Sequence, residues 1–272
     1  MVATTATYPA LCLSWCLIAA FTINPDARAL GIAGHPGALS SILLVLSGTV
    51  AVGNSVRAVA LGLLQTHRFH ALVARRRVST PASVHAVVTE LRQLERVTVV
   101  DTQEQVAVTI GLLRPSIVIS TGLAESLNDA ELHAVLAHEQ AHVQRRDPLR
   151  ALLGRLLAAH LWFMPAAQDM RSRARRDYEL AADRHAVNVC GRSALAGALL
   201  RVLSPVAKPE FVAPFAEPGL LDARIAQLES GQAPRRAPIS PLRSAWTAVG
   251  VLAFMTAVVG SCLFIPHVCP TQ

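Results

Sequence analysis

The chain has 272 residues, of which 52% are hydrophobic and only 16% are charged, and its formal net charge is +7. Soluble domains typically carry about 25% charged residues, so this composition excludes an ordinary soluble globular protein. The length allows one catalytic domain and a few membrane spans, and it excludes several large domains. The basic balance suits an anionic membrane surface, and we expect no direct contact with nucleic acid. The five cysteines form no CxxC pair, which excludes a zinc knuckle.

Three apolar stretches are long enough to cross a bilayer, whose core of about 30 Å needs about 20 helical residues. They cover about residues 8–25, 39–64 and 244–266. The first stretch has a signal peptide as its alternative, but it lacks a basic start and an evident A-x-A cleavage site. We therefore predict about three spans, two of them within residues 1–65, and a short external tail at residues 267–272.

Arginines mark the inner ends of the second and third stretches, whereas the loop between the first two carries only Arg28. Basic residues are enriched on the cytoplasmic side of membrane proteins. This pattern predicts a multi-pass protein of the cell membrane with residues 66–243 forming a cytoplasmic domain. The arginines concerned are Arg68, Arg75, Arg76, Arg77, Arg235, Arg236 and Arg243.

The cytoplasmic segment begins with a short amphipathic helix, SVHAVVTELRQLERV. Three β-branched segments follow, VTVVD, QVAVTIG and RPSIVIST, and they predict a small sheet of about three strands. The next helix starts after Asn128, which precedes Glu131 at the spacing of a capping box. It should end at residues 147–148, because proline disfavours helical backbone in the residue before it, and Asp147 then caps the next helix.

Residues 149–164, LRALLGRLLAAHLWFM, are apolar on most faces but include Arg150, Arg155 and His160. These side chains make a membrane span costly. We therefore expect a helix packed on the catalytic core or lying at the membrane interface. Another helix follows over residues 166–190, and the proline-rich residues 208–236 predict a loop-rich tether to the third span.

The helix after Asn128 contains His138, Glu139 and His142 in the pattern H-E-x-x-H. Positions four apart lie on one helix face, so both imidazoles can bind one metal ion. Two neutral imidazoles with a third protein ligand and a water suit catalytic Zn²⁺, and one such ion is expected per chain. Glu139 is then the general base that takes the proton of the metal-activated water.

A third ligand must come from elsewhere in the chain. A metzincin would need glycine at 145 and histidine at 148, but arginine and proline stand there. Glu179 is the best candidate, because it shares a helix face with Asp183, which could accept a hydrogen bond from a ligand imidazole. His160 and His185 are rival ligands.

The runs AVTIGLLRPSIVISTGLAESLNDAELHAVLAHEQAHVQRRDP, LWFMP and RRDYELAADRHAV resemble the integral-membrane zinc endopeptidases of the BlaR/MecR type, the M56 peptidases. A more distant likeness is to the HtpX/Ste24-type peptidases. The resemblance covers about residues 97–190. It implies an α+β, gluzincin-like metallopeptidase domain inserted between transmembrane helices. It further implies a zinc site formed by His138, His142 and Glu179, with Glu139 as base and Asp183 in support.

The resemblance also suggests how a substrate would bind. In gluzincins a sheet edge beside the metal helix pairs with the substrate backbone, which predicts strand addition at the segment containing Ser116, Ile117, Val118, Ile119 and Ser120. A BlaI-type winged-helix repressor is the cytoplasmic substrate that the family suggests. BlaR/MecR sensors carry a penicillin-binding domain after their last span, and none is expected here, because the printed chain ends six residues after Pro266.

Two other functions are compatible with the sequence. One is an HtpX-like protease that clips damaged membrane proteins, and the other is a non-catalytic membrane scaffold that keeps the metal helix. Tyr178, Arg184 and His185 are candidates for stabilising the oxyanion. A homodimer is left open.

Overall fold

The computed structural model describes residues 36–91, 97–202, 219–236 and 238–268. These residues form a mostly helical protein with one small sheet. In chain order the elements are α1 (Pro36–Arg75), β1 (Arg77–Val78), α2 (Ala82–Glu90), β2 (Val97–Val100), β3 (Ala107–Ile110), β4 (Ser116–Ser120), α3 (Thr121–Ser126), α4 (Asp129–Arg145), α5 (Asp147–His160), α6 (Pro165–Cys190), α7 (Arg192–Val202), α8 (Leu220–Ser230) and α9 (Pro241–Val268).

The sheet has four strands in the order β1-β2-β4-β3. β2 and β4 are parallel, with Val99 opposite Ile119, whereas β1 and β3 run antiparallel to their neighbours. The three predicted strands are confirmed. The two-residue β1 was not predicted, because a segment this short carries no alternation of apolar and polar residues.

The main hydrophobic core lies between this sheet and the helices α2 and α4. Ile117, Ile119, Leu132 and Leu136 are almost fully buried there. The predicted capping box is confirmed: the Asn128 side chain accepts from the Glu131 amide at 2.9 Å, and the Asn128 amide donates to the Glu131 carboxylate at 3.1 Å. Capping and burial together hold α4 against the sheet.

Two helices are long and apolar enough to cross a membrane, over Leu39–Arg75 and Pro241–Ser261. The first range includes the predicted span at 39–64, and the second includes residues 244–261 of the span predicted at 244–266. α1 continues well past residue 65, because the basic residues near its C-terminus have good helix propensity. The span predicted at about residues 8–25 and most of the tail at 267–272 lie outside the described residues.

The described residues divide into two compact units. One contains α1 up to Ala58, the segment Leu156–Asp169 and the described residues from Pro238 onward. The other contains Val59–Arg155 and, from Met170 onward, the described residues that precede Pro238, and it includes the sheet and α4. The second unit shares most of its residues with the predicted domain of residues 66–243, but it starts at Val59 and lacks both Leu156–Asp169 and the residues from Pro238 onward.

The tether predicted over residues 208–236 is partly wrong. Leu220–Ser230 form the helix α8, which starts and ends at the left-handed glycines Gly219 and Gly231. Glycine adopts this backbone conformation without the steric cost of a Cβ atom. The prolines of the segment obscured an eleven-residue helix in the sequence.

Candidate metal centre

The two histidines of α4 face each other across one helical turn. His138 Nε2 and His142 Nε2 are 3.2 Å apart, and the two rings meet edge to face. Both residues are less than 10% exposed. The i, i+4 spacing therefore produces the convergence that the sequence predicted.

α6 brings Glu179 to the same point. Its carboxylate oxygens lie 3.5 Å from His138 Nε2 and 3.7 Å from His142 Nε2. The three ligand atoms lie within 4.8 Å of one another, and within the described ranges no other set of three His, Cys, Asp or Glu side chains converges in this way. The rival ligands are not part of the group: His160 Nδ1 instead lies 3.3 Å from Ser55 Oγ.

These residues fit a divalent cation. The two Nε2 atoms are 3.2 Å apart, so their lone pairs repel each other if neither nitrogen is protonated. A positive charge near both nitrogens removes this repulsion. A carboxylate completes the donor set, and imidazole nitrogens with a carboxylate oxygen are the ligands of many catalytic zinc sites. The chemistry of the donors therefore matches the metal that the motif predicts.

In each histidine, the Nδ1 atom lies close to an aspartate carboxylate. Asp183 Oδ1 lies 2.9 Å from His138 Nδ1, and Asp147 Oδ2 lies 2.8 Å from His142 Nδ1. Both aspartates are buried, Asp183 completely. Such contacts fix the orientation of the ring and place its metal-binding nitrogen on Nε2.

Asp147 was predicted only as a helix cap. It follows Arg146, the one non-glycine residue with positive φ (54°) among those described, at the C-terminus of α4. This turn brings the first residue of α5 back to His142, and the Arg145 guanidinium lies 3.2 Å from the same Asp147 oxygen. The available signal was an acidic residue five positions after His142, just past the end of the metal helix.

Arg224 is a second residue that sequence reasoning missed. Its Nε and Nη2 donate to both oxygens of Asp183 at 2.8 and 2.7 Å, and its Nη1 lies 3.8 Å from Glu179 Oε2. A buried carboxylate held by a planar guanidinium in this two-point geometry is among the strongest polar contacts in proteins.

The electrostatics of the site favour positive charge at His138. Burial lowers the pKa of His138, but the neighbouring carboxylates of Asp183 and Glu179 outweigh burial and raise it to about 9. Burial opposes ionisation of Glu179 and Asp183, yet contact with His138 holds the pKa of both below their usual range. A bound cation would supply the positive charge that this arrangement stabilises.

Glu139 points to the sheet side of the centre. The Thr109 hydroxyl of β3 lies 2.7 Å from Glu139 Oε2 and 3.1 Å from the Glu139 carbonyl oxygen, and it donates to both acceptors. Thr109 was not predicted, because it lies 30 positions before Glu139 and no local pattern connects the two residues. The contact restricts the orientation of the Glu139 carboxylate.

The predicted strand-addition site at Ser116–Ser120 is wrong. This segment is β4, which pairs with β2 on one side and with β3 on the other, so its backbone groups are already used within the sheet. The sheet edge beside α4 is β3, Ala107–Ile110. An added strand needs unpaired backbone groups, which only an edge strand provides.

Two of the candidates for stabilising the oxyanion, Arg184 and His185, have different surroundings. Arg184 Nη1 donates to the Gln227 side chain at 3.2 Å. His185 Nε2 is buried without a hydrogen-bond partner. Burial first, and then the charges of Arg145 and His138, lower the pKa of His185, which therefore favours the neutral ring.

The sequence profile of the BlaR1 peptidase M56 family matches residues 19–227. The chain belongs to this family. Curated relatives include the methicillin resistance mecR1 proteins of Staphylococcus aureus and Staphylococcus epidermidis, each 29% identical over 82 residues. The aligned part is 30% of this chain and 14% of those relatives. The chain thus aligns with only a small part of their length.

The matching model is that of a peptidase family, and the cluster of two histidines and a glutamate is compatible with a metallopeptidase. The two apolar helices and the likeness to mecR1 proteins indicate a membrane protein.

Proposed function

We propose that this M56 peptidase is a zinc-dependent endopeptidase that cleaves a cytoplasmic protein. The observation that carries the proposal is the convergence of His138, His142 and Glu179 within 4.8 Å, with Glu139 adjacent to His138 on α4. A structural role alone would not require a carboxylate next to three metal-binding groups.

The three converging side chains would hold one Zn²⁺, with Asp183 and Asp147 keeping the two imidazoles in place. Bound zinc polarises a scissile carbonyl and lowers the pKa of a water to about 7. Glu139 takes the proton from the attacking water and later returns it to the leaving amine. Thr109 keeps the Glu139 carboxylate turned toward that proton.

The substrate backbone would pair with β3. Its residues are half-buried, it ends the described sheet, and its Thr109 contacts the catalytic carboxylate directly. An extended peptide added there would lie next to Glu139, which favours a protein chain over a small molecule as substrate. The family likeness suggests a winged-helix repressor of the BlaI type.

The proposed topology has about three spans, with the gluzincin-like domain in the cytoplasm of a multi-pass protein of the cell membrane. The support is the arginine distribution: seven arginines flank the inner ends of the second and third apolar stretches, and only Arg28 lies in the loop between the first two.

Metal analysis with hydrolysis assays on three variants tests the function. We expect Glu139→Ala to retain one zinc and lose hydrolysis, and Glu179→Ala to lose both. Glu125→Ala, an exposed glutamate of α3, serves as the matched control and should keep both. Retained hydrolysis in Glu139→Ala, or full zinc content in Glu179→Ala, would contradict the assigned roles.

The substrate class needs a separate experiment. A proteome comparison between cells with the wild type and cells with Glu139→Ala should show one cleaved cytoplasmic protein. Fragments of many membrane proteins would instead indicate quality control and would overturn the proposed substrate class.

A further inference from the structure

The turn between α5 and α6 lies against helices that are long enough to cross a membrane. We call the segment Leu156–Asp169 the hairpin tip; it belongs to the same compact unit as α9 and the first part of α1. Its sequence, LLAAHLWFMPAAQD, contains no Asp, Glu, Lys or Arg before its last position. This composition differs from that of the rest of α6, which is rich in arginine.

The hairpin tip contacts α9 at successive positions along that helix. Arg243 pairs with Asp169 at 3.0 Å, and the Thr247 hydroxyl accepts from the Ala166 amide at 3.1 Å. Further along, Phe254 stacks on Phe163 with ring centroids 5.5 Å apart. Positions 243 and 254 are 11 residues apart, which corresponds to about 16 Å along a helix.

A glycine permits the closest approach. A Cβ atom at Gly250 would lie 2.7 Å from the Phe163 carbonyl oxygen, so only glycine fits at this position. Small residues at such contacts are typical of helices that pack together inside a membrane.

A contact with the first part of α1 gives a second indication of how deep the turn lies along the predicted spans. His160, at the end of α5, lies 3.3 Å from the Ser55 hydroxyl, which also donates to the Ala51 carbonyl oxygen. Ser55 precedes Leu64, the predicted inner end of that span, by nine positions, or about 14 Å of helix. Two independent helices therefore locate the turn about 15 Å from the inner ends of the predicted spans, which is half of a core of about 30 Å.

The backbone of the turn is largely satisfied from within, as a lipid environment requires. The amides of Leu161, Met164 and Ala167 donate to carbonyl oxygens of the segment at 2.9 to 3.0 Å, and the Gln168 side chain donates to the Ala158 carbonyl oxygen at 3.3 Å. Pro165 has no amide to satisfy.

We propose that the hairpin tip is a re-entrant segment, inserted into the inner leaflet beside α1 and α9, where its outward-facing apolar side chains contact lipid acyl chains. Leu157 and Trp162 are nearly half exposed, while Ala158 and Ala167 face the packed side. The only charge of the tip, Asp169, lies beside Arg243 at the start of α9, where both can reach the membrane surface.

Spin-label depth measurements on the full chain in phosphatidylcholine and phosphatidylglycerol vesicles test this proposal. In a cysteine-free background, a label at Trp162→Cys is compared with three controls by its collisions with oxygen and with a water-soluble nickel chelate. The controls are Val249→Cys, an exposed position within α9, Leu242→Cys, at the start of that helix, and Glu125→Cys, on the exposed side of α3.

We expect the label at 162 to be as deep as the label at 249 or deeper, with oxygen collisions frequent and nickel collisions rare. A depth equal to that at 242 would place the tip at the interface, and access like that at 125 would place it in water; any value shallower than 249 overturns the proposal. Water access at 249 would remove α9 as a span, and the proposal with it.

A substitution pair tests the contact that sets the depth. Gly250→Val introduces a side chain against the Phe163 carbonyl, and it should move the label at 162 toward the interface. Gly53→Val is the matched control, because a Cβ atom at Gly53 meets nothing within 4 Å, and it should leave the depth unchanged. An unchanged depth in Gly250→Val would overturn the packing on which the proposal rests.

Discussion

Each residue of the metal centre has its orientation fixed by a partner from a different element. His138 is held from α6, His142 from the first turn of α5, and Glu139 from β3. Side chains locked in this way lose little further entropy when a metal or a substrate binds. These partners therefore restrict the side chains of the site to few orientations.

The Thr109 hydroxyl should affect catalysis without affecting metal binding. Thr109→Val keeps the β-branched shape of the strand residue but removes the hydrogen bond to Glu139. We expect kcat to fall about tenfold, equivalent to about 1.4 kcal/mol, because the base is no longer held in its productive orientation. Steady-state hydrolysis and zinc content measure this; Thr89→Val, an exposed threonine of α2, is the control. An unchanged kcat would show that Thr109 does not orient the base.

Asp147 should act on metal affinity. Asp147→Ala frees the Nδ1 side of the His142 ring, and removal of such a partner typically costs 10- to 100-fold in affinity, so we expect a loss of about that size. Competition with a chromophoric chelator gives the dissociation constant for zinc. Asp177→Ala, which removes an aspartate of α6 that pairs with Arg236 at the surface, should leave it unchanged. Equal affinities for wild type and Asp147→Ala would rule out the positioning role.

At the scale of elements, α8 supports the metal centre through hydrogen bonds to α6. Besides the contacts of Arg224, Gln227 donates to the Leu180 carbonyl oxygen at 2.8 Å, so the helix lies along the turn of α6 that carries Glu179 and Asp183. α8 thus holds both carboxylates of the E-x-x-x-D pair in place.

Removing the Arg224 guanidinium should destabilise the fold. Arg224→Met leaves the fully buried Asp183 without its cation, and breaking a buried ion pair from one side costs about 3–5 kcal/mol. Chemical unfolding of the metal-free protein in detergent measures this without a contribution from metal binding. Arg236→Met breaks an exposed pair and should cost less than about 1 kcal/mol. Similar losses in the two variants would contradict the buried role of Arg224.

Local patterns predicted some elements and missed others. The capping box and the i, i+4 histidines involve neighbours in one helix, so the sequence shows both. The edge position of β3 depends on which strands pair, and this pairing puts β4 in the interior. A buried strand and an edge strand of four or five residues look alike in one sequence.

At the scale of the whole molecule, a metal would connect two helices that lie far apart in sequence. α4 supplies the histidines and α6 supplies Glu179, so bound zinc stabilises their packing by mass action. We expect a chelator to lower Tm by about 5 °C or more, the shift for about 2.7 kcal/mol at a metal concentration of 100 times Kd. Glu179→Ala should melt near the lower value with or without the chelator. A Tm of the wild type that does not respond to chelation would contradict a metal shared by the two helices.

The sequence alone determined the features that depend on composition and on the geometry of a single helix. These are two apolar helices of spanning length, three strands, the capped metal helix and the joint position of His138 and His142. Only the tertiary structure decided which distant residues meet. Thr109, Asp147 and Arg224 reach the centre, and His160 reaches Ser55, because packing across many intervening residues sets those distances and no local period encodes them.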